Sequence, residues 1–272
     1  MSQLPMELEF DFFNSSQPDW SLINPQLRKH RFGLLPVSKE DDPYVRVHSS
    51  FIYANGFAQR ITDAVNAGEI RLNFIADNQA GYWLRNFYVP ANQTLRVFIT
   101  SYAAQMTVCD FNFYLNENSQ LELRYFGSSL LRQAHARFHV THTGKNSRSL
   151  IKTATLASKN AASTAMIHVD MPAGCSGSSS EVRSYNWSDG GRVGSLPIID
   201  VSEPDVSAAH GNVVYSVDPE AIFLLQLRGL GQEAARKQLL YGQLISGMLD
   251  KDELVDWDEA RECFGFLYKD VQ

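Results

Sequence analysis

From about Ile70 to Val206 the chain alternates apolar and polar residues with period two, and this long run most narrows what it can fold into. In "VCDFNFYL", Cys109, Phe111, Phe113 and Leu115 point one way, while Asp110, Asn112 and Tyr114 point the other. "QLELRYF" and "TLRVFIT" repeat the pattern, so these segments are strands. Short turns of small and polar residues separate them: "VPANQTL", "LNENSQL", "LASKNAAS", "DMPAGCSG" and "WSDGGRVGSLP". No exact repeat length emerges, and the rhythm fits a sandwich, a barrel or a coiled β-solenoid.

The flanks read differently. Residues 1–69 form a turn-rich lead-in with an aromatic cluster at Phe10, Phe12 and Phe13. Within it "GFAQRITDAVNAG" predicts a short helix, with Phe57, Ile61 and Val65 on one face and Gly68 as its stop. At Asp218 the chain turns helical. Asp218 is the N-cap, Pro219 the first helical position, Glu220 suits the helix dipole, and Gly229 marks the exit. "GQEAARKQLLYGQLISGMLD" continues with Ala235, Leu239, Leu240, Leu244 and Met248 along one side, and "DELVDWDEARECFGFLY" adds a third helical segment. The expected organisation is a lead-in over 1–69, a β core over 70–217 and a helical subdomain over 218–272.

Composition removes several function classes. The chain shows no apolar run of membrane-spanning length and no secretory leader pattern at "MSQLPMELEFDFF", so a cytoplasmic home is expected. A net charge of -6 without a basic stripe argues against nucleic acid as a partner. The three cysteines, Cys109, Cys175 and Cys263, are too dispersed for a disulfide framework or a zinc site.

Chemistry-bearing residues are few. His139 and His142, three apart on a strand, face opposite sides, and His135 is ~13 Å from His139 along an extended strand, so no metal site is expected there. "TGKNS" lacks the leading glycine and the hydroxyl residue after lysine that a phosphate-binding loop needs. Asp200, Glu203 and Asp205 suit either the acid and base of a β-helical carbohydrate-active enzyme or a charged strand edge. His210 stands alone, as a hinge between strand and helix or as a ligand.

The stretch "SLPIIDVSEPDVSAAHGNVVYSVDPEAIFLLQLRGLGQEAARKQLL" resembles the C-terminal signature of the SufB/SufD family of iron-sulphur cluster assembly proteins. Pro197, Asp200, His210, Phe223, Leu224, Leu225, Arg228, Gly229 and Ala234 carry the resemblance, which runs from about Phe138 to Leu249 and extends back to Ile70. It implies a right-handed parallel β-helix with flanking helices and a shortened N-terminal region. It further implies a non-catalytic scaffold that pairs with a SufB-like subunit and binds a SufC-like ABC ATPase. A homodimer through the β-helix edge, without cluster chemistry, is the structural alternative. No tightly bound cofactor is expected, only a transient iron-sulphur cluster in the assembled complex, with His210 as its candidate ligand. Arg228, Leu239, Leu240, Leu244 and Met248 are the candidate partner-binding residues. SufB members have a glutamate where Gly211 stands and a functional cysteine near Val182, so the resemblance is to SufD.

Overall fold

The computed structural model describes residues 48–53, 63–65, 68–76, 81–103, 107–129 and 133–248. Within them the chain forms β1 (His48–Tyr53), β2 (Asp63–Val65), β3 (Gly68–Ala76), β4 (Gly81–Val89), β5 (Thr94–Ala103), β6 (Thr107–Leu115), β7 (Gln120–Ser129), β8 (Gln133–His142), β9 (Arg148–Ser158), β10 (Ala162–Met171), β11 (Ser179–Asp189), β12 (Arg192–Val201) and β13 (Ser207–Ser216). Odd-numbered strands make one sheet and even-numbered strands the other, each in sequence order. Every strand pairs in parallel with the strand two places on, as in Thr94 with Gln120 and Gln120 with Arg148. Two strands per turn, stacked turn on turn, make a parallel β-solenoid.

The solenoid follows from the alternation and from its corners. Inward positions along the strands are apolar and buried: Phe87, Val89, Leu95, Val97, Phe111, Phe113, Leu121, Leu123 and Phe138 fill the lumen. One corner recurs with a residue in the left-handed region: Asn92 at φ 60, Asn118 at 53, Asn146 at 54 and then Gly177 at 74. Asparagine tolerates this backbone better than most side chains, and glycine has no Cβ to object. The corners also stack. Asn118 N donates to Lys145 O at 2.8 Å, Asn146 N to Ser176 O at 3.0 Å, and Gly177 N to Asp205 O at 2.7 Å, so each corner is tied to the next.

Two helices follow, α1 (Pro219–Leu227) and α2 (Gln232–Met248). Asp218 caps α1 by accepting from Glu220 N at 2.9 Å, and Gly229, at φ 94, ends it. Both ends follow the predicted capping. In α2, Ala235 and Leu240 are buried, and Arg236 forms an ion pair with Asp189 at the end of β11, anchoring the helix to the core. No helix among the described residues is long and apolar enough to cross a membrane.

One expectation is corrected. Asp63–Val65 is a strand paired with Asn86–Tyr88 of β4, not the end of a helix, and Gly68 opens β3 instead of stopping anything. The four-residue spacing of Phe57, Ile61 and Val65 imitated a helical face, but at Val65 sheet pairing overrode that local pattern. The remainder of that predicted helix at 56–62 and 66–67, the aromatic cluster at Phe10, Phe12 and Phe13, and the predicted third helical segment with Cys263 lie outside the described residues. The odd-numbered sheet already includes His48–Tyr53, upstream of residue 70.

Candidate functional site

His210 sits in the middle of β13, well before the helix that begins at Pro219. It is therefore not a strand-to-helix hinge. β13 is the terminal strand of its sheet, bonded on one side to β11, and every residue from Ser207 to Ser216 is exposed. In register, His210 pairs with Val182, whose side chain is fully buried in the lumen. Paired residues of parallel strands share a face, so the imidazole stands on the lumen side at the open end of the solenoid. Gly211 is extended, and a Cβ there would meet nothing within 4 Å, so no contact inside the chain requires a glycine.

Cys175 does not accompany His210. It lies in the corner between β10 and β11 and packs in the apolar core, where burial, assisted by the charge of Glu203, raises its thiol pKa above the usual range. Burial raises that of Cys109 as well. Both sulfurs are covered by the apolar core, which disfavours their ionisation to thiolate.

The three acidic residues divide between two places. Glu203 Oε2 accepts from Gly174 N at 2.8 Å and Asp205 Oδ2 from Ser176 Oγ at 2.6 Å, so both bind the neighbouring corner. Asp200 belongs to β12 and turns to a histidine instead.

The histidine that Asp200 meets is His168, and around it lies a cluster that the spacing of histidines along one strand did not reveal. His139 on β8 and His168 on β10 are direct register partners, with rings stacked at 4.8 Å and 14° between their planes. Asp170, two residues beyond His168, receives both rings: His139 Nε2 lies 2.6 Å from Oδ2 and His168 Nε2 3.1 Å from Oδ1. His168 Nε2 also lies 2.7 Å from Asp200 Oδ2. The available signal was the matching pair "FHVT" and "IHVD", one solenoid turn apart. His139 and His142 do face opposite sides. His142 is inside, 2.7 Å from Ser147 Oγ and 3.1 Å from Ser149 Oγ, and burial lowers its pKa to about 4. His135 is covered between Thr164 and Gln133, and burial, with Arg192 nearby, lowers it to about 4 as well.

The C-terminal candidates divide by exposure. Leu240 is 7% exposed and Leu239 half-buried, whereas Arg228 is exposed with Phe223 (57%), Leu224 (59%) and Leu227 (68%) on α1. α1 buries none of its own residues. The side chains of Leu244 and Met248 lie outside the described residues.

Fold and site together define a parallel β-solenoid protein with an open terminal edge bearing one histidine and with helices appended after that edge. The family model described as "SUF system FeS cluster assembly, SufBD core domain" matches residues 70–243, and the chain belongs to that family. Membership is consistent with a scaffold role in the SUF system. No curated protein is similar enough to the chain to count as a match.

Proposed function

We propose that this chain is a SufD-like, non-catalytic scaffold subunit of the cytoplasmic SUF machinery, pairing with a SufB-like subunit and binding a SufC-like ABC ATPase. The observation that carries this reading is the pairing of His210 with Val182 at an open edge. Where a SufB-like chain would offer a thiolate, this chain has a buried valine, so His210 has no soft ligand beside it in its own chain. A cluster held there needs its other ligands from across the edge, which is what a SufD-like role demands. Gly211 supports the same reading, because its only evident use is to let another backbone come close.

β13 has free backbone donors and acceptors along one side, so pairing by strand addition follows the physics of any open sheet edge. Without a SufB-like partner the same edge pairs two copies of this chain. The solenoid core to residue 217, wound right-handed, supplies this edge, and the helical subdomain from 218 supplies the ATPase contact. Within that contact we assign the leading part to Phe223, Leu224, Leu227 and Arg228, with Leu239, Leu244 and Met248 extending it. Leu240, being buried, holds α2 to the core instead.

Reconstitution with a SufB-like subunit and the ATPase tests the assignment. The His210→Ala protein should fold, retain the ATPase and fail in cluster formation followed by visible absorbance, while Phe223→Asp with Leu227→Asp should lose the ATPase on co-purification. Undiminished cluster formation by His210→Ala would remove the ligand role. Recovery of a homodimer alone, with no ATPase, would reduce the chain to a structural paralogue.

A further inference from the structure

We propose that His139, His168 and Asp170, with Asp200 beside them, bind one divalent transition-metal ion on the outer face of the even-numbered sheet. The site is separate from His210, which belongs to the other sheet, and it does not rest on the scaffold reading.

Position comes from the backbone. Parallel register sets His139 against His168 and Asp170 against Asp200, so four ligating side chains on three adjacent strands share one small patch. Strands of a stacked solenoid hold such positions more rigidly than loops do. The donor atoms are nearly gathered already. One atom each from His139, His168 and Asp170 lie within 4.8 Å of one another, and the imidazole–carboxylate separations are 2.6, 3.1 and 2.7 Å. An ion with bonds of ~2.0–2.1 Å in tetrahedral geometry needs its ligand atoms roughly 3.3 Å apart. Side-chain rotation closes the widest gap and opens the narrow ones without moving a strand.

The chemistry selects the ion. Two neutral imidazoles with carboxylate oxygens suit a borderline divalent ion such as Zn(II), Fe(II) or Co(II); the absence of thiolate in the set disfavours Cu(I), and imidazole nitrogen disfavours Ca(II) and Mg(II). Two carboxylates also supply the charge that balances a dication. When the ion enters, each Nε2 exchanges a hydrogen bond to carboxylate for a bond to metal; a ring that was neutral carries its one proton on Nδ1 in the complex, and a ring that was imidazolium releases its Nε2 proton to solvent. Access is open: the side chains of His139 and Asp170 are about one-third exposed and that of Asp200 is more so. His135 and His142, by contrast, are buried with both ring nitrogens engaged.

Tag-free protein, dialysed against Zn(II) and separately titrated with Co(II) while its visible absorption is followed, should take up one equivalent at micromolar concentration. His168→Gln and Asp170→Asn should each weaken uptake at least ten-fold, with circular dichroism reporting an intact fold, and Glu181→Gln, on the other sheet and paired with Arg183, should leave it unchanged. If neither metal is taken up, if both cluster variants bind like the parent, or if Glu181→Gln weakens uptake as much as they do, the proposal is overturned.

Discussion

From β4 to β8 the lumen is filled with rings, whereas from β9 onward the odd-numbered sheet turns hydroxyls and an amide into it. In the first region Phe87 stacks on Phe113 at 4.7 Å, Phe111 meets Phe87 edge-on at 5.8 Å, and Tyr125 meets Phe138 at 5.0 Å. In the second, Ser149 Oγ donates to Ser180 Oγ at 2.8 Å, Thr153 Oγ1 to Ser184 Oγ at 3.0 Å, and Thr155 Oγ1 to Asn186 Oδ1 at 2.7 Å. Asn186 then donates to Asn212 Oδ1 at 2.7 Å, carrying the ladder onto β13. The even-numbered sheet stays apolar opposite, through Ala165, Ile167, Val169 and Met171. One fold thus has two ways of joining turn to turn. Rings gain from volume and contact, with little demand on direction; hydroxyl ladders require each group to find its partner in the next turn, because an orphaned buried polar atom is costly. The end of the solenoid nearest His210 is the end built on directional bonds.

Three measurements bear on this contrast. The largest effect is expected from Phe113→Ala, which removes one ring of the buried stacked pair with Phe87 and should cost about 3–5 kcal/mol in urea unfolding. A loss below about 1 kcal/mol would mean that the aromatic turns do not carry the stability assigned to them.

Next comes acid. His142 lies where the two regions meet, in register with Leu115 and bonded to Ser147 and Ser149. Its folded pKa of about 4 lies below the ordinary 6.5, so between these values the unfolded chain binds the extra proton. Its contribution is complete above about pH 6.5 and is lost as pH falls through about 4, amounting to roughly 3 kcal/mol at 1.36 kcal/mol per pKa unit. His135 acts with the same sign. His142→Asn should therefore flatten part of the decline in urea midpoint between pH 7 and pH 4, and an equally steep decline would assign it to other groups.

The smallest effect distinguishes the ladder most sharply. Thr153→Val leaves Ser184 without its donor and should cost about 1–3 kcal/mol, while Thr153→Val with Ser184→Ala should cost less than the single change, because no polar atom is then stranded. Additive losses would show that the ladder behaves like ordinary packing.

The contrast also explains what was legible in the sequence. Alternation at Cys109, Phe111, Phe113 and Leu115 gave the inward face directly, and all four are buried. Asp110 faces outward as read, yet it is covered because Arg137 on the next turn binds both its oxygens, at 2.8 and 2.6 Å. In β9 and β11 the inward residues Ser149, Thr153, Ser180 and Ser184 look like a solvent face, since only the turn-to-turn partner shows that their polarity is satisfied inside. Turn length hid the repeat: partners are 26 residues apart at Asn92 and Asn118 but 31 at Ser149 and Ser180. For the same reason spacing alone did not match His139 with His168, and the likeness of "FHVT" to "IHVD" was the signal left to find them. Helix caps at Asp218 and Gly229 are local and were legible in full.

The one-sided bonding of β13 has a consequence for how the molecule opens in time. An inner strand such as β9 can leave only if both neighbouring turns give way, whereas β13 can peel once it releases β11 and the Asn212 bonds to Ser195 of β12, and can close again while the rest stays folded. Its amides should thus exchange with solvent through small, frequent excursions, and those of β9 only through much larger openings. His210 rides on the strand that samples such excursions, so a second chain docking along that edge gains a contact and also quiets the strand that presents the imidazole.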